Sequence, residues 1–90
     1  MLFTITLIIH GKVQGVYYRQ SAKQKARDLG LTGFVMNQPD RTVLLTATGR
    51  RAQLEELIRW CHTGPPAARV EQVLVNETDL QLYPDFSIRR

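Results

Sequence analysis

Residues 11–19 (GKVQGVYYR) constrain the fold most, because they place two glycines between a strand pattern and a helix pattern. Before them, apolar side chains alternate along residues 3–9, which is the period of a mostly buried β-strand. After them, apolar residues recur at helical spacing over residues 18–29, and Gly30 stands where a left-handed helix cap is expected. The chain therefore begins with a strand, a glycine-containing turn and a helix.

This junction is suited to binding an anion. Glycines permit positive φ and let backbone N–H groups point at a ligand, and the helix adds unpaired N–H groups and the positive end of its dipole. A cation such as Arg19 is unfavourable at that end unless an anion joins it. Gly15 is followed by Val16 and Tyr17, which does not match a nucleotide P-loop, so a small phosphoryl or carboxylate group is the expected ligand. The alternative is that the glycines serve only the turn and Arg19 is solvated.

The remaining elements predict an α+β, ferredoxin-like split β-α-β sandwich. Right-handed crossovers in the order βαββαβ, plus a short C-terminal strand, place two helices on one face of a mostly antiparallel sheet. This topology brings Arg19 and Asn37 to opposite sides of a shallow pocket. The elements predicted after the first helix are strands at residues 33–37 and 42–48, a helix that ends at Gly64, a strand at residues 68–75 and a short strand at residues 86–88.

Length and cysteine content limit the class of protein. Ninety residues predict a single domain over positions 1–90 with one core. Cys61 is the only cysteine and no Cys/His cluster accompanies it, which predicts a cytoplasmic protein without a metal site. The apolar run at residues 2–9 is too short to span a bilayer and lacks the flanks of a signal peptide, so no membrane partner is expected.

The basic charge raises two classes of partner. A formal net charge of +4 suits nucleic acid or small anions, but the cations are spread along the chain without a dense block. An RNA-binding sheet of this topology would carry stacking aromatic residues on its first and third strands, and residues 42–48 contain none. A small anion is therefore the preferred partner, nucleic acid is an unlikely one, and a monomer is expected.

Two motifs together resemble the acylphosphatase family. The first is residues 11–16 followed by Arg19, and the second is Gly30-Leu31-x-Gly33-Phe34-Val35-x-Asn37. The resemblance covers the whole chain and continues through Gly49, Trp60, residues 64–70 (GPPAARV) and residues 86–88 (FSI).

The resemblance implies hydrolysis of a small acyl phosphate to a carboxylate and inorganic phosphate, without metal or organic cofactor. It implies that loop N–H groups and Arg19 hold the phosphoryl group, and that Asn37 positions the attacking water; these two are the expected catalytic residues. An accessory domain of a larger protein is the alternative, and a free-standing enzyme is preferred. The residues that the resemblance assigns to substrate binding are Val13, Gln14, Gly15, Val16, Tyr17, Tyr18 and Arg19.

Four positions depart from the family pattern. Tyr18 replaces a usual phenylalanine, Phe34 a usual tryptophan, and Met36 a commonly basic residue. Arg41 replaces the glycine of a common Asp-Gly turn, which predicts strain and a different shape at the tip of the hairpin. None of these changes removes a proposed catalytic atom.

Overall fold

The computed structural model describes all 90 residues and has two helices packed on one face of a five-stranded sheet. The strand order is β4-β1-β3-β2-β5, with all neighbours antiparallel except β2 and β5, which are parallel. The predicted ferredoxin-like topology is therefore confirmed. The elements are β1 (Phe3–Lys12), α1 (Tyr18–Asp28), β2 (Thr32–Asn37), β3 (Val43–Gly49), α2 (Arg51–Thr63), β4 (Arg69–Thr78) and β5 (Phe86–Arg89).

The core lies between the sheet and the helices, and the alternation in β1 explains it. Leu7 and Ile9 are fully buried and face the helices, and Leu7 pairs across the sheet with the equally buried Leu45 of β3. Ala22 and Ala26 supply the buried face of α1. Their small side chains allow the helix to approach the sheet closely, so the strand that precedes the glycine turn and the helix that follows it are fixed relative to each other.

Threonines occupy the opposite face of the two central strands. The hydroxyls of Thr4 and Thr48 are hydrogen-bonded to each other at 2.6 Å, and the Thr48 hydroxyl donates to the backbone oxygen of Gln81 at 2.6 Å. The backbone N–H of Gln81 donates in return to the Thr4 hydroxyl at 2.9 Å. Because buried hydroxyls need hydrogen-bond partners, the chain between β4 and β5 is held against this face.

Two strands extend at least two residues beyond their predicted ends. Strand β4 continues to Thr78 because its pairing with β1 persists as far as Thr4. Strand β1 continues past His10 to Lys12 through a bulge, and Gly11 pairs with Val70. Gly11 has a φ of 128°, and a Cβ there would lie 2.1 Å from the carbonyl oxygen of Arg69. Gly11 is thus required by strand β1, and it lies within that strand instead of in the loop where the sequence placed it.

The tip of the β2–β3 hairpin keeps a left-handed residue without glycine. Arg41 has a φ of 74°, and its N–H donates to the carbonyl oxygen of Gln38 at 3.0 Å. Asp40 accepts from the hydroxyl of Thr42 at 2.6 Å and from its N–H at 3.0 Å. These bonds lower the pKa of the Asp40 carboxyl and stabilise its charged form. Arg41 therefore adopts the left-handed conformation that the sequence predicts to be strained for any residue other than glycine.

Two glycines with positive φ give a test of strand packing. A Cβ at Gly33 would lie 1.9 Å from the carbonyl oxygen of Thr46 on the adjacent strand, whereas a Cβ at Gly30 meets nothing within 4 Å. Gly30→Ala should therefore cost only the left-handed backbone penalty of about 1–2 kcal/mol. Gly33→Ala should cost more than about 4 kcal/mol, because β2 and β3 must separate. Urea unfolding of both variants measures the difference, and equal losses would contradict this packing.

Candidate active site

A cavity of about 420 Å³ lies where the loop between β1 and α1 meets the end of β2. Arg19 and Asn37 both line it, as the sequence predicts for two residues on opposite sides of a pocket. Its wall contains two arginines and no acidic side chain, so it favours anions. The lining residues are Val13, Gly15, Tyr17, Tyr18, Arg19, Gln20, Asn37, Ile88 and Arg90.

The loop presents backbone donors that the protein does not use. The first backbone hydrogen bond of α1 runs from the N–H of Ser21 to the oxygen of Tyr17 at 3.0 Å, so the N–H groups of residues 18–20 have no helical partner. Those of residues 14–17 also donate to no other backbone group. Gly15 and Tyr17 have φ values of 74° and 64°. Left-handed residues at such spacing turn successive N–H groups toward a common centre, which is an arrangement that binds anions.

Tyr17 is a residue whose conformation the sequence does not signal. A left-handed conformation costs a non-glycine residue about 1–2 kcal/mol. Tyr17 adopts it with its side chain 80% exposed, so its own packing offsets little of that cost. Strain of this kind is often found at functional sites, where the surrounding structure imposes it. Here the flanking Val16 and Tyr18 are buried and hold the loop on either side.

Arg19 has no carboxylate partner. The ion pairs of the protein are Arg51 with Glu77 and Arg59 with Glu56, and neither includes a residue of α1. The first turn of α1 contains no acidic residue either. The guanidinium therefore adds its charge to the positive end of the helix dipole, an arrangement that an anion in the cavity would stabilise.

Asn37 carries a buried acceptor that nothing in the protein satisfies. Its Oδ1 atom is inaccessible to solvent, and no protein group donates to it. An unsatisfied buried acceptor costs about 1–3 kcal/mol. The side chain lies at the end of β2, and its backbone is fixed by pairing with Val43. The amide is thus held at the cavity with an oxygen that requires a donor.

The other predicted binding residues differ in whether they line the cavity. Val13, Gly15, Tyr17 and Tyr18 line the cavity, but Val16 is buried at 6% exposure and Gln14 turns its side chain toward the β2–β3 hairpin. For Gln14 and Val16, only the backbone remains available to a ligand. The sequence also missed three lining residues. Gln20 follows Arg19 in α1, and Ile88 and Arg90 reach the cavity because β5 lies parallel to β2.

Tyr18 anchors the loop to the other helix. Its hydroxyl donates to the carbonyl oxygen of Cys61 at 2.7 Å, and its ring packs against Trp60 at a centroid distance of 5.4 Å. Burial raises the pKa of the Tyr18 hydroxyl and raises that of the Cys61 thiol to about 12, so both stay protonated at neutral pH. In a continuing helix the Cys61 carbonyl would accept from residue 65, which is Pro65 and has no N–H. The Tyr18 hydroxyl donates to this carbonyl instead.

A family model described as acylphosphatase matches residues 5–88. The chain belongs to the acylphosphatase family. The acylphosphatase of Marinobacter nauticus is 52% identical over 81 residues, which cover 89% of this chain and 88% of that protein. The acylphosphatase structure from Coxiella burnetii has a TM-score of 0.95 at 40% identity, covering 98% of this chain and 93% of its own. The Bacillus subtilis acylphosphatase has a TM-score of 0.95 at 31% identity, with 100% of both chains covered.

These comparisons confirm the family resemblance of the sequence motifs. They extend over the two motifs and over the full set of strands and helices of the chain. No helix in it combines the length and the apolar character needed to cross a membrane. No group of three or more His, Cys, Asp or Glu side chains is placed to hold a metal ion.

The hydrogen bond from Tyr18 to Cys61 gives a stability test. Tyr18→Phe keeps the ring but leaves the buried Cys61 carbonyl without its donor, so it should lower the free energy of unfolding by about 1–3 kcal/mol. Tyr17→Phe is the matched control, because that hydroxyl is exposed, and it should change stability by less than about 0.5 kcal/mol. Thermal and urea unfolding measure both, and an unchanged Tyr18→Phe would show that the bond contributes nothing.

Proposed function

We propose that this protein hydrolyses acyl phosphates to a carboxylate and inorganic phosphate in the cavity between the β1–α1 loop and Asn37. The observation that carries the proposal is the composition of that cavity. It combines unpaired backbone donors and an arginine without a carboxylate partner on one side with the side-chain amide of Asn37 on the other. A tetrahedral dianion and a water molecule are complementary to those two sides.

The phosphoryl group would be held by the loop. Backbone N–H groups of residues 14–20 would donate to its oxygens, and Arg19 would supply charge and a planar pair of donors. Phosphoryl transfer passes through a loose transition state whose charge is spread over the equatorial oxygens, so positioned donors are the main requirement. Donors that are already in place need no reorganisation during the reaction.

Asn37 would position the attacking water. A side-chain amide cannot remove a proton, but its oxygen accepts a hydrogen bond and its nitrogen donates two. Because Oδ1 is inaccessible to solvent in the protein alone, the amide would turn to present it to the water, and its NH2 group would donate to a phosphoryl oxygen. The proton of the water would then pass to the phosphoryl oxygens of the substrate. This division of roles explains why the acceptor is left unsatisfied by the protein.

The leaving group suits a site without a general acid. The carboxylate released from an acyl phosphate has a conjugate acid with a pKa near that of a side-chain carboxyl, about 4. It can therefore depart unprotonated at neutral pH. The cavity lining contains no His, Asp or Glu, which supports a mechanism without proton donation to the leaving group.

The aromatic residues of the sheet support a small substrate rather than RNA. The guanidinium of Arg51 covers the ring of Phe3 at 4.2 Å, and that of Arg89 covers the ring of Phe34 at 3.8 Å. Rings in such cation–π contacts are not free to stack on bases. A single catalytic domain over residues 1–90, a monomeric state and a cytoplasmic location stay predictions.

Two variants separate the proposed roles. Arg19→Ala should abolish inhibition by inorganic phosphate and lower kcat for benzoyl phosphate by at least about 10²–10³-fold, because a transition-state donor is removed. Asn37→Ala should lower kcat to a similar extent, about 10²–10³-fold, with KM and phosphate inhibition nearly unchanged.

The control is Arg59→Ala, which removes an exposed arginine on α2 and should leave kinetics unchanged. Circular dichroism checks that each variant is folded. A folded Arg19→Ala protein with normal turnover and phosphate inhibition would contradict the assignment. Weaker phosphate inhibition with normal kcat in Asn37→Ala would reverse the role of Asn37.

A further inference from the structure

Gln14 lies in the substrate-binding loop, yet its side chain points away from the cavity. Its Nε2 atom donates to the backbone oxygens of Gln38 and Thr42, each at 2.9 Å. Both acceptors belong to the tip of the β2–β3 hairpin. We propose that Gln14 is a positioning residue that ties the loop to this hairpin and so fixes Asn37 opposite Arg19. This inference rests on the proposed roles of Asn37 and Arg19.

The bonding capacity of the groups involved is fully used. A primary amide nitrogen has two hydrogens, and Gln14 directs one to each carbonyl. Within the hairpin, the oxygen of Gln38 already accepts from Arg41 at 3.0 Å, and that of Thr42 accepts from Gln38 at 2.9 Å. A carbonyl oxygen has two lone pairs. Gln14 therefore fills the second acceptor site of both carbonyls that close the tip.

Gln14 is the only side chain outside the hairpin that hydrogen-bonds to its tip. The other bonds are internal: the Thr42 hydroxyl lies within hydrogen-bond distance of the side chains of Asp40 and Gln38, and the Thr42 N–H donates to Asp40. These bonds shape the tip but do not orient it relative to the loop. Among side chains, only the Gln14 amide directly connects the two walls of the cavity, which are the β1–α1 loop and the end of β2 with Asn37.

The bridge ends immediately beside the residues of the cavity. Val13 and Gly15, on either side of Gln14, both line it. Gln38 follows Asn37, and Thr42 precedes Val43, the residue that pairs with Asn37. The two hydrogen bonds thus span the loop wall and the Asn37 wall at the point where they meet. Without them, the walls remain connected through the pairing of β1, β3 and β2 and through packing in the shared core.

The asymmetry of the two walls predicts a specific kinetic effect. The unpaired N–H groups and Arg19 lie on the same chain segment as Gln14, so phosphate binding depends mainly on that wall. Asn37 lies on the other wall, and a displacement of about 1 Å of a positioned group can cost up to about 100-fold in rate. Loss of the bridge should therefore reduce kcat while leaving KM and phosphate inhibition nearly intact.

Gln14→Met tests this, because it keeps the length of the side chain and removes both donors. We expect the folded variant to lose about tenfold in kcat for benzoyl phosphate. Gln72→Met makes the same chemical change at an exposed position of β4 and should behave as wild type. In the Asn37→Ala background, Gln14→Met should cause no further loss, because residues that act through one another are not additive. A merely structural contribution would lower kcat equally in both backgrounds.

The kinetics of the two variants test whether Gln14 acts through Asn37. Wild-type kcat in folded Gln14→Met, or an equal loss in the Asn37→Ala background, would overturn it while leaving the proposed function intact. Normal kcat in Asn37→Ala itself would overturn this inference together with the proposed role of Asn37, but not the hydrolysis itself. If Gln14→Met does not fold, hydrogen exchange of the wild-type side-chain amides decides. The Gln14 NH2 protons should exchange more slowly than those of the exposed Gln72, and equal rates would overturn the bridge.

Discussion

The backbone of residues 14–20 carries N–H groups that neither the sheet nor the helix uses, and the surrounding structure holds them in place. The loop is anchored at its start by the buried Val13 and in its middle by the buried Val16. It is anchored at its end by Tyr18, whose hydroxyl bonds to α2. A loop fixed at three points by side chains leaves its backbone available, and this availability is what makes an anion site possible without a dedicated set of charged residues.

The same site contains interactions that lower the stability of the folded protein. An arginine at the positive end of α1, a left-handed tyrosine and an unsatisfied asparagine oxygen each lower the stability of the protein without a ligand. All three lie at one cavity. A folded chain tolerates three destabilising features at one site when other regions are well packed. Here β1 and β3 are well packed, since Leu7 and Leu45 are fully buried. Stabilising contacts and functional strain are thus spatially separated.

Local patterns were sufficient to predict the architecture. Alternation in β1, helical spacing after Tyr18 and the break at Gly64 each reflect short-range rules of burial and backbone geometry. The family motifs then indicated Arg19 and Asn37, and both line the cavity. The length of β4 was not predictable from its own residues, because it depends on how far the pairing with β1 continues.

The details of the site depend on tertiary contacts that no local pattern encodes. The left-handed conformation of Tyr17 is imposed by its neighbours, and nothing in the residue type signals it. The direction of the Gln14 side chain depends on a hairpin 24 residues away. Ile88 and Arg90 reach the cavity only because β5 pairs in parallel with β2, and a short terminal strand gives no sign of its partner.

The most direct test of the central claim is a titration of the backbone amides with inorganic phosphate, followed by NMR. The N–H signals of residues 14–20 should shift together and saturate at one phosphate per chain. Those of residues 51–53 provide an internal control, because they begin α2 at another helix N-terminus that also lacks an acidic residue in its first turn. Shifts confined to the loop would support an anion site built from its backbone. Equal shifts at both helices, or none at the loop, would contradict it.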